Sequence, residues 1–238
     1  MTTHWIDPRV SEAVLFDVDG TLAETELEGH LPAFNEAFSR LDIPWNWSAD
    51  QYQGLLKITG GLERMRAHAQ GLNEGQWQSA QAEEKLMRAH QLKNILYAER
   101  MALGLISPRP GIPALIEQVI SAGLQWGIVT TTSRANWEAL WRGCLSGFGL
   151  SEPDVVICGE DVSRKKPDPE AYRKALEHLG LKGHSCLALE DSPNGLLAAV
   201  AAEVPCVVVT SAFFQEGPWP DARAVLSSPL ELQVGEPA

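Results

Sequence analysis

A series of short apolar runs, rich in Val, Ile and Leu, constrains the fold of this chain more than any other feature. The runs lie at Ala13–Phe16, Trp126–Val129, Val155–Cys158, Cys186–Leu189 and Cys206–Val209. None of them alternates with polar residues, which is typical of strands that are buried on both faces of a parallel sheet. We therefore expect a parallel sheet that is covered by helices on both sides.

Segments with helical spacing separate these runs. They span Ile112–Ala122, Ala135–Arg142, Pro169–Leu179 and Pro193–Ala202. Pro169 and Pro193 follow Asp168 and Ser192, a pattern typical of a capped helix start with proline in the first turn. Gly180 stands where the third of these helices is expected to end. The alternation of strands and helices predicts an α/β fold with a Rossmann-like, doubly wound parallel sheet.

One long stretch, from about Glu24 to Met101, breaks this alternation. It contains no convincing strand, and its amphipathic segments are Leu31–Arg40, Leu62–Gln70 and Glu74–Arg100. We interpret the stretch as an all-helical insert that follows the first strand. The predicted domains are a catalytic core of residues 1–21 and 104–238 and a helical cap of residues 22–103.

The polar residues that follow the strands point to the chemistry, because ligands of open parallel sheets bind beyond the carboxyl ends of the strands. They are Asp17-Val18-Asp19-Gly20-Thr21 after the first strand, Thr130-Thr131-Thr132-Ser133 after the second, Lys165-Lys166 before the third helix, and Glu190-Asp191 after the fourth strand. Two carboxylate pairs, a group of hydroxyls and a lysine pair are thus expected at one edge of the sheet.

This set of groups suits phosphoryl transfer. Mg²⁺ prefers carboxylate oxygens, so Asp17, Asp191 and Glu190 are candidate ligands. Asp17 can attack phosphorus to give an aspartyl-phosphate, provided that a metal and the charge of Lys166 offset the repulsion between the two anions. Asp19 lies on the same side of an extended backbone and can act as the acid and base.

Smaller groups complete the predicted phosphate site. Thr131 can donate its hydroxyl, although Thr130 and Thr132 are rivals for that position, and Ser133 is expected to share a face with Thr131. Gly20 permits a close approach of the backbone to the phosphate. Lys165 is read as a surface charge, whereas Lys166 is the candidate for the site.

The overall charge limits the classes of partner. The 31 acidic residues outnumber the 19 basic ones, for a formal charge of −12, which argues against general binding of nucleic acid. No apolar run reaches roughly 18 residues, and the first ten residues lack the pattern of a signal peptide. The four cysteines are scattered and are expected to be free thiols in a reducing compartment. We expect a cytoplasmic protein without a membrane partner, and a monomer is the simplest expectation for its oligomeric state.

Taken together, these motifs resemble the four motifs of the haloacid dehalogenase-like superfamily, in the right order and over nearly the whole chain. The resemblance implies that Asp17 is the nucleophile and Asp19 the acid and base, and that Thr131 and Lys166 bind the transferred phosphoryl group. It also implies an Mg²⁺ cofactor, for which the predicted ligands are Asp17, Asp19, Glu190 and Asp191. A carboxylate at position 19 favours phosphoryl transfer over carbon–halogen cleavage.

A narrower resemblance is to the CbbY-like group of sugar-phosphate phosphatases. It rests on Leu22-Ala23-Glu24-Thr25-Glu26, Ala33-Phe34-Asn35, Trp45-Asn46-Trp47, Thr59-Gly60-Gly61-Leu62-Glu63-Arg64 and Val129-Thr130-Thr131-Thr132-Ser133. The resemblance implies hydrolysis of a sugar (bis)phosphate such as xylulose-1,5-bisphosphate. It also implies substrate contacts from Gly20, Gly61, Arg64, Ser133 and His30. Many members have Lys where this chain has Leu62, and one extra residue separates Glu26 from His30.

Two other functions remain open from the sequence. A phosphomutase of the β-phosphoglucomutase kind would use the same core residues and differ in the lifetime of the aspartyl-phosphate. A non-catalytic module that binds metal and phosphate would be expected to lack a catalytic carboxylate, yet both Asp17 and Asp19 are present. The identity of the sugar and its number of phosphates lie beyond what the sequence indicates.

Overall fold

The centre of the computed structural model, which describes residues 4–72 and 75–236, is a six-stranded parallel sheet. Together with a separate pair, the described residues form eight strands: β1 (His4–Ile6), β2 (Ala13–Phe16), β3 (Gln125–Val129), β4 (Val155–Ile157), β5 (Cys186–Glu190), β6 (Cys206–Val209), β7 (Ala224–Leu226) and β8 (Leu232–Val234). The sheet has the order β4-β3-β2-β5-β6-β7, and β1 pairs separately with β8. The predicted Rossmann-like α/β class is confirmed.

Eight α-helices accompany the strands in the described residues. They are α1 (Leu31–Arg40), α2 (Ala49–Leu55), α3 (Gly61–Gly71), α4 (Ala80–Ala102), α5 (Ile112–Ser121), α6 (Arg134–Leu140), α7 (Glu170–Leu179) and α8 (Pro193–Ala201). Short 3-10 or π-helical turns lie at Glu26–His30, Gly75–Gln78, Trp141–Leu145, Ser146–Phe148, Gly183–Ser185 and Pro229–Glu231. The predicted starts of α7 and α8 and the end of α7 at Gly180 are all close to the observed bounds.

The sheet is buried on both faces because successive side chains of each strand point to opposite sides. In β2, Val14 and Phe16 pack in one cluster with apolar residues of α5 and α6. Ala13 and Leu15 pack in a second cluster with residues of α7 and α8. This is why the strand sequences are continuously apolar, and it leaves the carboxyl ends of the strands free to carry the polar loops.

The helical insert, which we define as residues 22–103, departs from expectation in its details. Helix α4 begins at Ala80, not near Glu74, because the Ser79 side chain caps it by accepting a hydrogen bond from the Ala82 amide. Glu74 itself lies outside the described residues. Helix α2 and the three-residue strands β1, β7 and β8 were not predicted from the sequence, because they are too short to show a period.

The interior of the insert is largely aromatic. Trp45 and Trp47 are buried and pack against Phe34, Phe38 and Tyr52 at ring-centroid distances of 4.8 to 5.8 Å. The two tryptophans therefore belong to the packing of the insert.

The chain enters and leaves the insert at adjacent positions. Ala23 forms an isolated antiparallel bridge with Pro108, and the Arg109 amide donates to the Leu22 carbonyl at 2.8 Å. The described part of the insert contains no strand beyond the residues of this bridge. The division at residues 22 and 103 stays a prediction.

Two further observations concern the chain as a whole. All four cysteines are buried and form no disulfide, in agreement with the expectation of free thiols. Among the described helices, none combines the length and the apolar character that a bilayer crossing requires.

Candidate active site

A cavity of about 310 Å³ lies between the carboxyl ends of the core strands and the helical insert. From the core it is lined by residues that follow β2, β3, β4 and β5, and from the insert by residues of α3, α4 and the loop before α3. The edge of the sheet at which ligands were expected therefore forms one wall of this cavity.

A buried ion-pair network lies at the base of this cavity. The Lys166 ammonium donates to Asp17 Oδ1 at 2.7 Å, to Glu190 Oε1 at 2.6 Å and to the Val129 carbonyl at 2.6 Å. Tyr172 donates its hydroxyl to the same Glu190 oxygen at 2.5 Å. Asp17 follows β2, Val129 and Glu190 end β3 and β5, Lys166 lies in the loop before α7, and Tyr172 lies on α7. The Lys166 ammonium thus joins Asp17 to the ends of two neighbouring strands.

Burial governs the titration of Asp17 and Lys166. Burial raises the pKa of Asp17 above its ordinary range; the charge of Lys166 opposes this rise and the charge of Glu190 adds to it. Burial works against the charge of Lys166, but the two carboxylates outweigh it and raise the Lys166 pKa. The ammonium therefore stays charged and faces the carboxylate oxygen of the expected nucleophile.

Three carboxylates at this point form a candidate metal site. Ligand atoms of Asp17, Glu190 and Asp191 all lie within 4.8 Å of one another. With Lys166 as the ammonium that pairs with two of them, two negative charges remain in excess if all are ionised. Burial and the charge of Asp17 raise the Asp191 pKa well above its ordinary value. A divalent cation would remove that excess, because hard cations such as Mg²⁺ bind carboxylate oxygens.

An unpartnered atom supports the same fit. Glu190 is fully buried, and its Oε2 atom has no hydrogen-bond partner within the described structure. A buried carboxylate oxygen without a partner is costly, so a ligand for it is expected. The donor set therefore fits a hard divalent ion.

Gly20 makes room for this cluster. Its φ of +86° lies in the left-handed region, and a Cβ atom there would lie 2.0 Å from Asp191 Oδ2. The buried guanidinium of Arg109 donates to the Gly20 carbonyl at 2.5 Å and to the Thr210 carbonyl at 2.6 Å. Gly20 is thus fixed against Asp191, but it is not among the residues that line the cavity.

Asp19 faces the insert and not the carboxylate cluster. Its Oδ1 atom accepts from the Thr25 hydroxyl at 2.5 Å and lies 3.0 Å from His30 Nε2. Burial opposes ionisation of Asp19, but the charge and hydrogen bond of His30 and the bond from Thr25 lower its pKa below the ordinary range. His30 is buried and stacks on Tyr97 at 4.2 Å. The Asp19 carboxylate is therefore ionised and oriented by residues at the start of the insert.

The hydroxyls after β3 differ in their roles. Thr131, Thr132 and Ser133 line the cavity, whereas the buried Thr130 does not. The Thr130 hydroxyl oxygen instead accepts from the Thr132 amide at 3.1 Å. Ser133 also caps α6 by accepting from the Asn136 amide at 3.3 Å. Thr130 is thus the one of the three threonines whose hydroxyl is turned to the backbone.

Arg64 lies in a network within the insert. Its guanidinium donates to Tyr52 Oη at 2.9 Å, to Glu26 Oε1 at 3.1 Å and to the Ile58 carbonyl at 3.0 Å. Tyr52 in turn donates to Glu26 Oε2 at 2.5 Å. Arg64 and Glu26 both line the cavity, but the charge of Arg64 is balanced by Glu26.

Lys93 provides the insert's other buried positive charge at this cavity. It is 3% exposed, and within the described chain it forms no ion pair. Its ammonium lies 5.0 Å from the centre of the Phe34 ring and donates to Asn94 Oδ1 at 3.3 Å. Burial lowers its pKa to about 8, although the charges of Glu26 and Asp19 oppose this shift. His90 lines the same wall, and burial lowers its pKa to about 4.

The structure brings most of the predicted site residues to one cavity. Those that line it are Asp17, Asp19, His30, Gly61, Arg64, Thr131, Ser133, Lys166 and Asp191. Glu190 lies behind the wall and fully buried, Gly20 packs against Asp191, and the Asp19 carboxylate is not in the three-carboxylate cluster. Lys165, read as a surface charge, instead pairs with Glu63 of the insert at 2.7 Å.

Sequence reasoning missed several residues of the insert side, above all Lys93, Glu26 and Tyr52. A signal for Lys93 exists, because it falls on the apolar stripe of α4 with Leu86, Ala89, Leu96 and Tyr97. A lysine at a stripe position of an amphipathic helix is unusual unless its charge has a role. No comparable pattern marks Glu26 or Tyr52.

The profile of the haloacid dehalogenase-like hydrolase family matches residues 12–203. The protein CbbY from a plasmid of Cupriavidus necator is 39% identical over 227 residues, which cover 95% of this chain and 87% of that protein. A phosphoglycolate phosphatase of Rhodospirillum rubrum is 30% identical over 86% of this chain and 82% of its own length.

A solved structure is also similar. It is that of a mutant CbbY from Rhodobacter sphaeroides in complex with xylulose-(1,5)bisphosphate, with a TM-score of 0.83 and 40% identity. The match covers 94% of this chain and 97% of that one. The similarity therefore includes both the sheet and the helical insert.

Proposed function

The chain belongs to the haloacid dehalogenase-like hydrolase family and to its CbbY-like group, and we propose that it hydrolyses a sugar phosphate through a phosphoryl group carried on Asp17. It is a phosphatase. The observation that carries the proposal is the buried arrangement in which Asp17 faces the cavity and bonds at 2.7 Å to Lys166, beside two further carboxylates.

The first step is attack by a carboxylate oxygen of Asp17 on phosphorus. The bond between phosphorus and the sugar oxygen breaks, and the phosphoryl group passes to Asp17. Lys166 keeps its charge at neutral pH and lies beside the attacking oxygen, so it reduces the repulsion between the carboxylate and the phosphate. The hydroxyl of Thr131 lines the same part of the cavity and is a donor for a phosphoryl oxygen.

Mg²⁺ is the proposed cofactor, held by Asp17, Glu190 and Asp191. When bound, it would neutralise negative charge on the phosphate and on the carboxylates. Asp191 stays in place for this role because Gly20 leaves room for its carboxylate and Arg109 fixes the Gly20 carbonyl.

Asp19 is the proposed acid and base. The sugar oxygen that leaves phosphorus needs a proton, so Asp19, ionised in the free protein, must first take one up from solvent or from the bound phosphate. The water that later attacks the aspartyl-phosphate loses a proton to the ionised form of Asp19. Asp19 lies two residues from Asp17 and lines the cavity. Thr25 and His30 orient its carboxylate, so the position of the group that transfers the proton depends on residues at the start of the insert.

The proposed substrate class is a small sugar with a second anionic group. A cavity of about 310 Å³ admits a small metabolite. Lys93 offers a buried positive charge on the insert side of the cavity, and the Glu26 oxygens are proposed acceptors for sugar hydroxyls. The xylulose-(1,5)bisphosphate complex of the Rhodobacter sphaeroides relative supports a bisphosphate.

The test is phosphate release from a panel of sugar monophosphates and bisphosphates, with and without Mg²⁺. We expect the native protein to release phosphate only with Mg²⁺ and Asp17→Asn to release at least about 1,000-fold less, since the nucleophile is lost. Asp50→Asn, at an exposed position in the first turn of α2, is the matched control. Formation of an isomeric sugar phosphate in place of free phosphate would instead establish a phosphomutase.

A further inference from the structure

The loop before α3 and the first turn of α3 contact the core at two places, the first turn of α8 and the loop before α7. Asn194, at the start of α8, donates its side-chain amide to the Lys57 carbonyl at 3.4 Å. Thr59 and Glu63 contact the loop that precedes α7. These contacts cross the cavity's rim between insert and core, and none of them needs a ligand.

Thr59 lies at the centre of these contacts. Its hydroxyl donates to the Lys166 carbonyl at 2.6 Å and accepts from the Asn194 side chain at 3.5 Å. Thr59 is half-buried. One hydroxyl of the insert therefore bonds to the backbone of the very residue whose ammonium contacts Asp17 and Glu190.

A neighbouring ion pair also joins the insert to the loop that carries Lys166. Lys165 Nζ pairs with Glu63 Oε1 at 2.7 Å. Gly60 leaves the space for it, because a Cβ atom at Gly60 would lie 2.2 Å from Glu63 Oε2 and 2.7 Å from Lys165 Nζ. The insert thus holds two consecutive core residues, Lys165 by its side chain and Lys166 by its carbonyl.

We propose that Thr59 is a positioning residue, which holds the Lys166 loop in register with Asp17 when the insert is closed over the core. The inference rests on the proposed function for its consequence in the reaction. The Lys166 ammonium must contact Asp17, Glu190 and the Val129 carbonyl at once, and a carbonyl fixed by Thr59 restricts the backbone from which that side chain extends. The orientation of the Asp17 carboxylate, which Lys166 contacts, then depends on the contact between the insert and the core.

The experiment compares Thr59→Val with Thr59→Ser and with Ser48→Ala. Valine keeps the shape of threonine but has no hydroxyl, and serine keeps the hydroxyl. Ser48 is an exposed cap of α2 that bonds only within the insert, so Ser48→Ala controls for loss of a stabilising hydroxyl. The readouts are kcat and KM for the best sugar phosphate, the melting temperature, and hydrogen exchange of the Asp168 amide, which donates to the Lys165 carbonyl at 3.1 Å.

We expect Thr59→Val to lower kcat about tenfold, the effect of one lost hydrogen bond, with KM within about twofold. Exchange of the Asp168 amide should become at least about fivefold faster in Thr59→Val but not in Ser48→Ala, since one bond to its loop is lost. Thr59→Ser should behave like the native protein. If valine destabilises the fold, Thr59→Ala serves for the same comparison.

Two results would overturn the inference. One is unchanged exchange at Asp168 in both Thr59→Val and Thr59→Ala. The other is a kcat loss in Ser48→Ala that equals the loss in Thr59→Val, because the effect would then reflect stability alone. If the native protein turned over no sugar phosphate, the proposed function would fail, and the exchange measurement would still decide whether Thr59 holds the loop.

Discussion

Substitution of Gly20 by alanine tests two features of this position, its left-handed backbone and the close approach of the Asp191 carboxylate. The backbone there has a φ of +86°, and a Cβ atom would lie 2.0 Å from Asp191 Oδ2 and 2.6 Å from its Cγ. An ordinary contact begins at 3.4 Å, so the Asp191 carboxylate has to move by about 1.4 Å or the loop must shift. Such a movement would displace one of the three carboxylates of the candidate metal site.

The size of the effect follows from these distances. Left-handed backbone costs alanine about 1–2 kcal/mol of stability. A misplacement of roughly 1 Å costs about 100-fold in rate, and disturbed support of a metal ligand costs about 10- to 100-fold in metal affinity. We therefore expect Gly20→Ala to bind Mg²⁺ at least about tenfold more weakly and to lose about 100-fold in kcat.

The assay is Mg²⁺ titration by calorimetry, together with phosphate release and urea unfolding. Gly123→Ala is the matched control, because Gly123 has a φ of +75° and nothing within 4 Å of its Cβ position. The control should lose stability without losing Mg²⁺ affinity. Native Mg²⁺ affinity in Gly20→Ala would refute the reasoning, since Asp191 would then not depend on the space that Gly20 leaves.

Two further predictions concern the buried lysines. Lys93→Met should raise KM for a sugar bisphosphate by about 10- to 100-fold, the worth of one charge-assisted hydrogen bond, and leave KM for a monophosphate unchanged; equal effects on both substrates would contradict a role at the second phosphate. Because burial lowers the Lys93 pKa to about 8, the lysine is charged below that pH, so the native KM for the bisphosphate should rise as pH increases through about 8, and KM of Lys93→Met should not. Lys166→Met should lower the free energy of unfolding in urea by about 3–5 kcal/mol, because it leaves Asp17 and Glu190 buried without their cation. Lys174→Met, which breaks an exposed pair with Glu170, should cost less than about 1 kcal/mol, and a similar loss in both variants would argue against the buried network.

The sheet and the order of its polar loops were predictable because burial on both faces leaves a strong compositional trace. The apolar run at Ala13–Phe16 could be placed correctly, since each of its residues has a packing partner on one side of the sheet or the other. Strand β7 left no such trace. It is an edge strand of three residues with Val225 46% exposed, so its sequence does not differ from that of a loop.

From topology alone the site was predictable only on its core side, whereas His30, Gly61 and Arg64 of the insert were predicted from the family resemblance. Asp17 directly follows β2, and Lys166 lies in the loop that leads from β4 to α7, so both lie at the sheet edge where function is expected from topology. The partners of Arg64 could not be inferred, because Glu26 is 38 residues away in sequence and meets it only through the packing of the insert. The orientation of Asp19 toward Thr25 and His30 was likewise hidden, because a period of two fixes the side of a strand and not the rotamer.

The bridge between Ala23 and Pro108 places the two ends of the insert side by side, because the chain leaves the core and returns to it at neighbouring positions. Segments whose ends lie close together are the ones that proteins exchange most readily by recombination. On the proposed division of roles, the groups that break the phosphate ester and those that choose the sugar are encoded in separable stretches of the gene. A descendant of this chain could acquire a new substrate by replacing the insert, provided that the replacement still supplied partners for Asp19 and a hydroxyl for the Lys166 carbonyl.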